Sequence, residues 1–363
     1  MISHHEDIEQ TLAERRKRWQ AFMDPDSQDA PPFLFIIQVL QPDQPEPVRP
    51  PLWPDLVTER IEWAWQMYQY RRQRCRWLDD DYLPYLAPRT GTEVFPEAFG
   101  CPVHRPDHTN PFAQPVLRSA SQAEKLTAPS CDAGPLATVF EIADALRQRG
   151  GQDALLALPD IASPMGNLSL IWEKTDLLIT MVENPDLVHH ARDIVFGLLM
   201  DFLDEWRRRY GNACISHYPE YFMPEGVTFS EDEVGSVSPE MFREFFAPSH
   251  RRLAQRYGSL GIHCCADSRH QWENFRKVPA LAMLNLVTPH KRSGAEFIGD
   301  SNAFFADTCA LYPQGWPLSD DPAAWWPSVP DGARIVFELQ AKTPDQARQL
   351  AEKMNKLRGS VTA

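Results

Sequence analysis

The segment Gly258-Ser-Leu-Gly-Ile-His-Cys-Cys-Ala-Asp267 joins a short apolar run to side chains that can bind a metal. The apolar part predicts a buried strand, and a helix is predicted to begin near Ser268. Side chains of an extended backbone alternate between two faces, so His263 and Cys265 share one face and Cys264 points to the other. A strand that leads directly into a helix is the repeating unit of a parallel sheet.

The same order of strand and helix recurs along the chain. Besides the strand that carries His263, predicted strands cover residues 33–39, 79–86, 154–158, 213–216, 281–286, 303–306 and 333–338. Helices are predicted between them, and one of these begins at the capping box Thr343-Pro-Asp-Gln346. About eight strands that alternate with helices predict a single α/β domain, a (β/α)8 TIM-type barrel, rather than an open sheet.

Two segments differ from this pattern. Residues 1–32 are predicted to form an N-terminal helical extension, which leaves 33–363 for the barrel. Residues 87–136 follow the second predicted strand, are rich in Pro, Gly and Thr, and have little periodicity. A loop of this length inside a compact chain is usually functional, for example a lid or a wall of an active site.

Composition excludes several kinds of partner. The formal net charge of -14 argues against nucleic acid and anionic membranes, because both require a basic surface. Seven cysteines without paired spacing indicate a reducing compartment. We see neither a signal peptide nor an apolar run of the roughly 20 residues that a bilayer requires. We therefore expect a cytoplasmic protein with a small-molecule substrate.

Tryptophan is concentrated around one predicted helix. The residues concerned are Trp53, Trp63, Trp65 and Trp77. Large aromatic side chains at such positions bury the helix or form an oligomer face. A homodimer is therefore left open.

Parallel barrels collect their reactive groups at the carboxyl ends of the strands, which form the mouth. Those ends carry Asp160, His217, Tyr218, His263, Cys265, Asn285 and Glu338, and the loop Ser230-Glu-Asp-Glu-Val-Gly235 adds three carboxylates. A run of acidic residues is usually a solvated surface, but its place between two barrel elements favours a function. We assign His217, Asp232 and Glu233 to catalysis, and Tyr218, Asn285 and Asp160 to substrate binding.

Imidazole and thiolate are typical zinc ligands, so His263 and Cys265 predict half of a tetrahedral site. Glu338 is the predicted third ligand because it ends the last strand, and Cys309 is the alternative. Three protein ligands with an open position are typical of catalytic zinc, which could activate a thiol or water. The competing interpretation is that these cysteines pack in the core, where free cysteine is common.

Three motifs connect this chain with a known family. They are Tyr85-Leu-Ala-Pro-Arg-Thr-Gly91, Asp232-Glu-Val-Gly-Ser-Val-Ser-Pro-Glu-Met-Phe242 and Ile262-His-Cys-Cys265. With them the chain resembles the uroporphyrinogen decarboxylase superfamily from about residue 33 to residue 357. The third motif is similar to the His-x-Cys of the zinc-containing, corrinoid-dependent methyltransferase branch. The resemblance implies a (β/α)8 barrel.

Two departures from the family pattern bear on function. True uroporphyrinogen decarboxylases carry an Arg-Gln-Ala-Gly-Arg signature after the first strand, where this chain has Gln38-Val-Leu-Gln-Pro42. A polycarboxylate porphyrinogen is therefore not the expected substrate. The methyltransferase branch has a cysteine after the last strand, where this chain has Glu338. This glutamate would then replace a thiolate ligand.

Three functions follow from the resemblance and the residues. The first is a methyltransferase that moves a methyl group between a corrinoid protein and a small thiol, or another donor or acceptor, at zinc. Since the chain lacks an Asp-x-His-x-x-Gly corrinoid motif, the corrinoid would be carried by a separate partner protein. The second is a metal-free lyase resembling uroporphyrinogen decarboxylase, which would use Asp232 and an arginine such as Arg89. The third is a non-catalytic, ligand-binding barrel.

Overall fold

The computed structural model describes residues 3–289, 294–313, 326 and 329–361. Its strands are β1 (Phe33–Val39), β2 (Tyr85–Leu86), β3 (Val103–His104), β4 (Phe112–Ala113), β5 (Leu155–Leu156), β6 (Cys214–Ile215), β7 (Phe222–Met223), β8 (Val227–Ser230), β9 (Leu260–Cys264), β10 (Leu281–Leu286), β11 (Ala310–Leu311) and β12 (Arg334–Ala341).

The α-helices lie between and around these strands. They are α1 (Ser3–Met23), α2 (Val57–Cys75), α3 (Val94–Ala98), α4 (Ala120–Ala123), α5 (Gly134–Gly150), α6 (Pro164–Ile171), α7 (Lys174–Glu183), α8 (Pro185–Tyr210), α9 (Pro239–Met241), α10 (Ala247–Tyr257), α11 (Trp272–Phe275), α12 (Gly294–Phe305) and α13 (Pro344–Val361). Within the described part of the chain, no helix combines the length and apolar character needed to cross a membrane.

Six strands form one parallel sheet in the order β1-β12-β11-β10-β9-β8. β2 pairs with β5 in parallel. The segment after β5 joins this pair to the sheet, because Ala162 is bridged to Ser230 at the end of β8. On the other side, the Asp81 backbone N–H donates to the Phe35 carbonyl of β1 (2.9 Å). The ring is thereby closed, and the predicted (β/α)8 barrel is confirmed.

Local sequence explains the elements that frame the barrel. β1 is buried on both faces over most of its length, as its continuous apolar run predicts. α13 begins at the predicted capping box, where the Gln346 backbone N–H donates to Thr343 Oγ1 (3.4 Å). In return, Gln346 Oε1 accepts from the Lys342 backbone N–H (3.0 Å). The first bond satisfies a backbone donor that the helix itself leaves open, and the second ties the residue before the N-cap to the first turn of the helix.

Several predicted elements were wrong. Residues 303–306 do not form the seventh strand, because 303–305 end α12, where Phe304 and Phe305 pack against Trp272. The strand of that repeat is β11, which pairs with β10 and β12. β8 was not predicted at all, so the acidic run assigned to a loop in fact directly follows a barrel strand.

Two further segments also differ from their predictions. β6 covers only part of the predicted strand at 213–216, and it forms an antiparallel hairpin with β7. Its parallel contact with the barrel is a single bridge between Ala157 and Ile215. Segment 87–136 is not irregular throughout, since it contains α3, α4 and the hairpin of β3 and β4.

α1 packs against the amino end of the barrel. Trp19 Nε1 donates to the Asp81 carbonyl (2.7 Å), and the Arg15 guanidinium donates to the carbonyls of Leu78 (2.6 Å) and Tyr82 (2.9 Å). Arg15 and Trp19 are each 1% exposed. The N-terminal segment therefore covers barrel surface that would otherwise face water.

Two buried carboxylates hold the seam between β1 and the segment before β2. Asp81 Oδ2 accepts from the Phe35 backbone N–H (3.0 Å), and Asp80 Oδ2 accepts from the Ile37 backbone N–H (3.0 Å). Their charges are balanced by arginines from three helices. Asp80 pairs with Arg15 and Arg74, and Asp81 pairs with Arg18 and Arg358. Each carboxylate thus completes the backbone bonding of β1 and fixes helices to the barrel.

Replacing Asp80 by Asn should strongly destabilise the fold. The variant keeps the size of the side chain but leaves Arg15 buried without its counter-charge, which we expect to lower the free energy of unfolding by about 3 to 5 kcal/mol. Urea denaturation measures this loss. The control is Asp345→Asn, which removes a surface pair with Arg348 and should cost less than about 1 kcal/mol. Equally small losses in the two variants would contradict a structural role for the Asp80 charge.

Candidate metal centre and side cavity

Three potential metal ligands converge at the mouth of the barrel. Asp232 follows β8, His263 lies in β9 and Cys265 follows β9. One ligand atom from each lies within 4.8 Å of the other two. We call this set the Asp232–His263–Cys265 group, and it is the one such group found among the described residues.

The imidazole of His263 is oriented by a chain of hydrogen bonds. Asn285 Nδ2 donates to the Tyr312 carbonyl (2.5 Å), which directs Asn285 Oδ1 toward His263 Nδ1 at 2.5 Å. Because this amide oxygen can only accept, Nδ1 carries the proton and Nε2 keeps a free lone pair. The tautomer that results is the one in which Nε2 can ligate a metal.

The two neighbouring cysteines have opposite environments. Cys264 is fully buried, whereas Cys265 is exposed at the mouth. The Cys265 backbone N–H donates to Asp232 Oδ1 (2.7 Å), which joins the ends of β8 and β9. Partial burial, together with the charge of Asp232, raises the pKa of the Cys265 thiol to about 12. Without a cation this sulfur is therefore a thiol at neutral pH, and a bound metal would favour the thiolate.

A second cluster lies beside this group. His217 Nε2 lies 3.1 Å from Ser230 Oγ and 3.2 Å from Asp160 Oδ1. Burial, assisted by the nearby His263, lowers the pKa of His217 to about 3. Burial raises the pKa of Asp160 to about 6, an effect that the positive charge of Arg89 opposes in part. At neutral pH His217 is thus uncharged, and the Asp160 carboxyl titrates just below neutrality.

The other candidate residues occupy different positions around the mouth. Tyr218 is 38% exposed, and its ring meets that of His263 edge-on at 4.9 Å between centroids. Glu233 forms an ion pair with Lys174 (2.7 Å). Asn285 is buried, and its amide is hydrogen-bonded to His263 at one end and to the Tyr312 carbonyl at the other.

Glu338 and Cys309, the predicted third ligands, are not members of the Asp232–His263–Cys265 group. Cys309 is buried just before β11, which is the amino end of that strand and the opposite end from the mouth. Glu338 faces a large cavity at the mouth. Among the described residues, the group that could hold a metal with His263 and Cys265 therefore includes Asp232, which was predicted to be catalytic, in place of Glu338 or Cys309.

The large cavity, here called the side cavity, lies between the carboxyl end of β1, the segment that follows it, and α2. Its volume is about 810 Å³. Residues that line it include Trp63, Arg71, Tyr82, Tyr85, Arg89, Glu220, Tyr312 and Glu338. Sequence reasoning assigned none of these except Arg89 and Glu338 to a site, because α2 carries no motif that distinguishes its arginines from surface charges.

The fold is a (β/α)8 barrel, and the ends of its strands bring a carboxylate, an imidazole and a thiol together. These two features define the general class of this protein. Residues 90–286, more than half of the chain, match the uroporphyrinogen decarboxylase (URO-D) family, and the chain belongs to that family. Among solved structures, a methyltransferase from Methanosarcina mazei is similar, with a TM-score of 0.66 and 14% identity. The similarity covers 96% of this chain and 99% of that one, and at this identity it shows a shared fold. No curated protein matches the chain.

The raised pKa of Asp160 predicts a pH-dependent contribution to stability. The folded protein holds this proton more tightly than the unfolded chain does, so lowering the pH from 8 to 5 should stabilise the fold by about 1.4 kcal/mol through this carboxyl. Asp160→Asn removes the titrating group, so this gain in stability at pH 5 should be absent from the variant. The effect of His217 should remain, because its lowered pKa in the folded protein makes the fold less stable as the pH falls. Urea denaturation of both proteins at pH 5 and pH 8 measures the difference. An unchanged pH dependence in the variant would contradict the raised pKa.

Proposed function

We propose that this protein is a zinc-dependent methyltransferase whose metal is held by Asp232, His263 and Cys265. The observation that carries the proposal is the convergence of oxygen, nitrogen and sulfur donors at the mouth of the barrel. Membership of the URO-D family and a fold shared with a protein named as a methyltransferase support it.

The donor set fits zinc. Tetrahedral zinc with bonds of about 2.0 to 2.3 Å places its ligand atoms about 3.5 Å apart. The three donors lie within 4.8 Å of one another, so side-chain shifts of little more than about an ångström would complete the geometry. His263 is already in the ligating tautomer, and Cys265 lies on the solvent side. The exposed side leaves room for a fourth, exchangeable ligand.

Zinc bound at this site would lower the pKa of a coordinated thiol and hold it as a nucleophilic thiolate. The protein must then accept the proton that the thiol releases. Asp160 suits this role because burial raises its pKa to about 6, near the working pH expected of a general base. His217 stays uncharged at 3.2 Å from Asp160, so it places no positive charge there that would lower the pKa of that carboxyl. Tyr218 lies over His263 and limits access of water to that side of the group.

The methyl group would come from, or pass to, a corrinoid on a separate protein. The chain has no corrinoid-binding motif of its own, and its exposed sulfur at Cys265 lies where a partner could approach the mouth. A thiol is the substrate that this arrangement favours, with a methyl group moving between cobalt and sulfur.

Metal analysis tests the ligand set directly. Protein purified without added metal should contain one zinc per chain, and Cys265→Ser should lose it because two remaining ligands hold zinc weakly. The matched control is Cys264→Ser, in which the adjacent buried sulfur is replaced and the zinc should remain. Zinc that survives Cys265→Ser would place the metal elsewhere.

Activity is tested with free methylcobalamin and dithiothreitol. Transfer of the methyl group to sulfur releases cob(I)alamin, which is followed by its absorbance under anaerobic conditions. We expect turnover by the zinc-loaded protein and a loss of at least about 100-fold in Cys265→Ser, since nucleophile activation depends on the metal. Equal rates in the two proteins would refute the proposed mechanism.

The hydrogen bond from His263 to Asn285 should control zinc affinity. Asn285→Leu removes the acceptor that fixes the imidazole, and loss of such a partner typically weakens metal binding by about 10- to 100-fold. Competition with a chromogenic chelator measures the change. Asn274→Leu is the control, because it removes another buried amide, one that bonds to Pro239 and Gln271. A similar loss of zinc affinity in both variants would indicate general destabilisation.

A metal-free carboxy-lyase is the second candidate function. It is favoured by Arg71 and Arg89, which line the side cavity and could bind a substrate carboxylate. Asp232 would then stabilise charge instead of binding zinc. Turnover of uroporphyrinogen, or of a smaller carboxylate, that persists in the presence of a chelator would support this function over the first.

A further inference from the structure

We infer that the side cavity binds substrates in which a single anionic group is attached to a planar apolar body, with Arg71 as the anchor for the anion. The inference deepens the proposed function and rests on it, because it names the class of substrate held beside the Asp232–His263–Cys265 group.

Arg71 lines the cavity, and its guanidinium is hydrogen-bonded to neither a carboxylate nor a side-chain amide of the described residues. Its guanidinium lies 3.8 Å from the centre of the Tyr85 ring, and Nη1 donates to the Tyr85 carbonyl (3.1 Å). No carboxylate of the described residues forms an ion pair with it, although it is largely enclosed by the cavity wall. A cation held in this way, with donors still available, is suited to charge-assisted hydrogen bonds with a ligand.

The other arginines of the cavity are already engaged. Arg74 pairs with the buried Asp80 and donates to the Ile37 carbonyl (2.8 Å). Arg89 lies 3.7 Å from Glu220. Arg49 donates to Asn110 Oδ1 (2.7 Å). A ligand anion would therefore gain most from Arg71, because binding there displaces no protein carboxylate.

The charge of the cavity limits how many anionic groups a ligand can carry. The lining includes Arg49, Arg71, Arg74 and Arg89, and also Asp43, Glu46, Glu220 and Glu338. These four arginines and four carboxylates leave no excess positive charge, so a polycarboxylate would meet repulsion as well as attraction. One anionic group at Arg71 is attracted by that guanidinium and meets fewer of these repulsions than several anionic groups would.

Aromatic side chains form the walls around the anchor. Trp63 is fixed by a hydrogen bond from Nε1 to the Pro47 carbonyl (3.1 Å), and the rings of Tyr82 and Tyr85 lie 6.3 Å apart between centroids. Tyr312 completes the wall near the barrel. Fixed aromatic faces of this kind bind planar apolar groups. A volume of about 810 Å³ also exceeds what a thiol of a few atoms would fill.

The cavity and the metal-ligand group belong to one mouth. Glu220 lines the cavity and follows Tyr218 by two residues, while the Tyr218 ring contacts His263. A ligand anchored at Arg71 would therefore extend along Arg89 and Glu220 toward Tyr218. A ligand long enough to reach Tyr218 would bring a methyl donor or acceptor atom toward the metal-ligand group.

Binding of 8-anilinonaphthalene-1-sulfonate, an aromatic monoanion, tests the inference on the full-length, zinc-containing protein. We expect saturable binding with one site per chain, followed by fluorescence. Arg71→Gln should weaken binding by about 10- to 100-fold, which corresponds to one hydrogen-bonded charge. Arg71→Lys should recover part of the loss. Arg76→Gln, on an exposed arginine just after α2, is the matched control and should bind as the wild type does.

Competition experiments on the wild-type protein test the same inference, and their result does not depend on whether a variant folds. Benzoate should displace the probe, whereas benzamide, which has the same shape without the charge, should not. Displacement by both compounds, or probe binding unaffected by Arg71→Gln, would overturn the inference.

The zinc content of the same samples distinguishes failure of this inference from failure of the proposed function. Arg71-dependent binding without zinc would refute the proposed function alone, and full zinc without such binding would refute the inference alone.

Discussion

The barrel closes at one seam through side chains instead of a regular strand ladder. β1 presents the backbone N–H groups of Phe35 and Ile37 toward the segment before β2, and the carboxylates of Asp81 and Asp80 accept them. A buried N–H without a partner is costly, and a buried carboxylate without a counter-charge is costlier still. The arginines that neutralise Asp80 and Asp81 therefore become part of the barrel itself. α1, α2 and α13 are held in place by the charges that close the ring.

This constraint also shapes the mouth. Two arginines of α2 have different functions. Arg74 forms an ion pair with Asp80 at the seam, whereas Arg71, one turn earlier, lines the side cavity without such a pair among the described residues. Family members that follow the signature stated for true decarboxylases place arginines directly after the first strand. In this chain the corresponding stretch is Gln38-Val-Leu-Gln-Pro42, which begins within β1 and has no arginine, and cationic groups reach the mouth from the neighbouring helix.

Patterns with strong local causes could be predicted from the sequence. The apolar run of β1 and the capping box at Thr343 each have one favourable local structure, and both formed where expected. β8 was missed because it is only four residues long and begins after a turn that depends on tertiary packing. At Gly226 φ is +114°, and an added Cβ would lie 2.2 Å from the Ser259 carbonyl oxygen. That contact exists only once β9 is in place, so no local pattern reveals it.

The missed strand explains why the candidate for a third ligand differs from the predicted one. Period-two alternation was enough to place His263 and Cys265 on one side, because both residues belong to one extended segment. The third position depends on which strand lies next to β9. With β8 as that neighbour, Ser230 lies opposite His263 in the register, and Asp232 follows two residues later beside Cys265. Glu338 lies on β12, which is separated from β9 by β10 and β11. Sequence position at a strand end identifies candidates for a barrel site, but strand order decides which of them can share one metal.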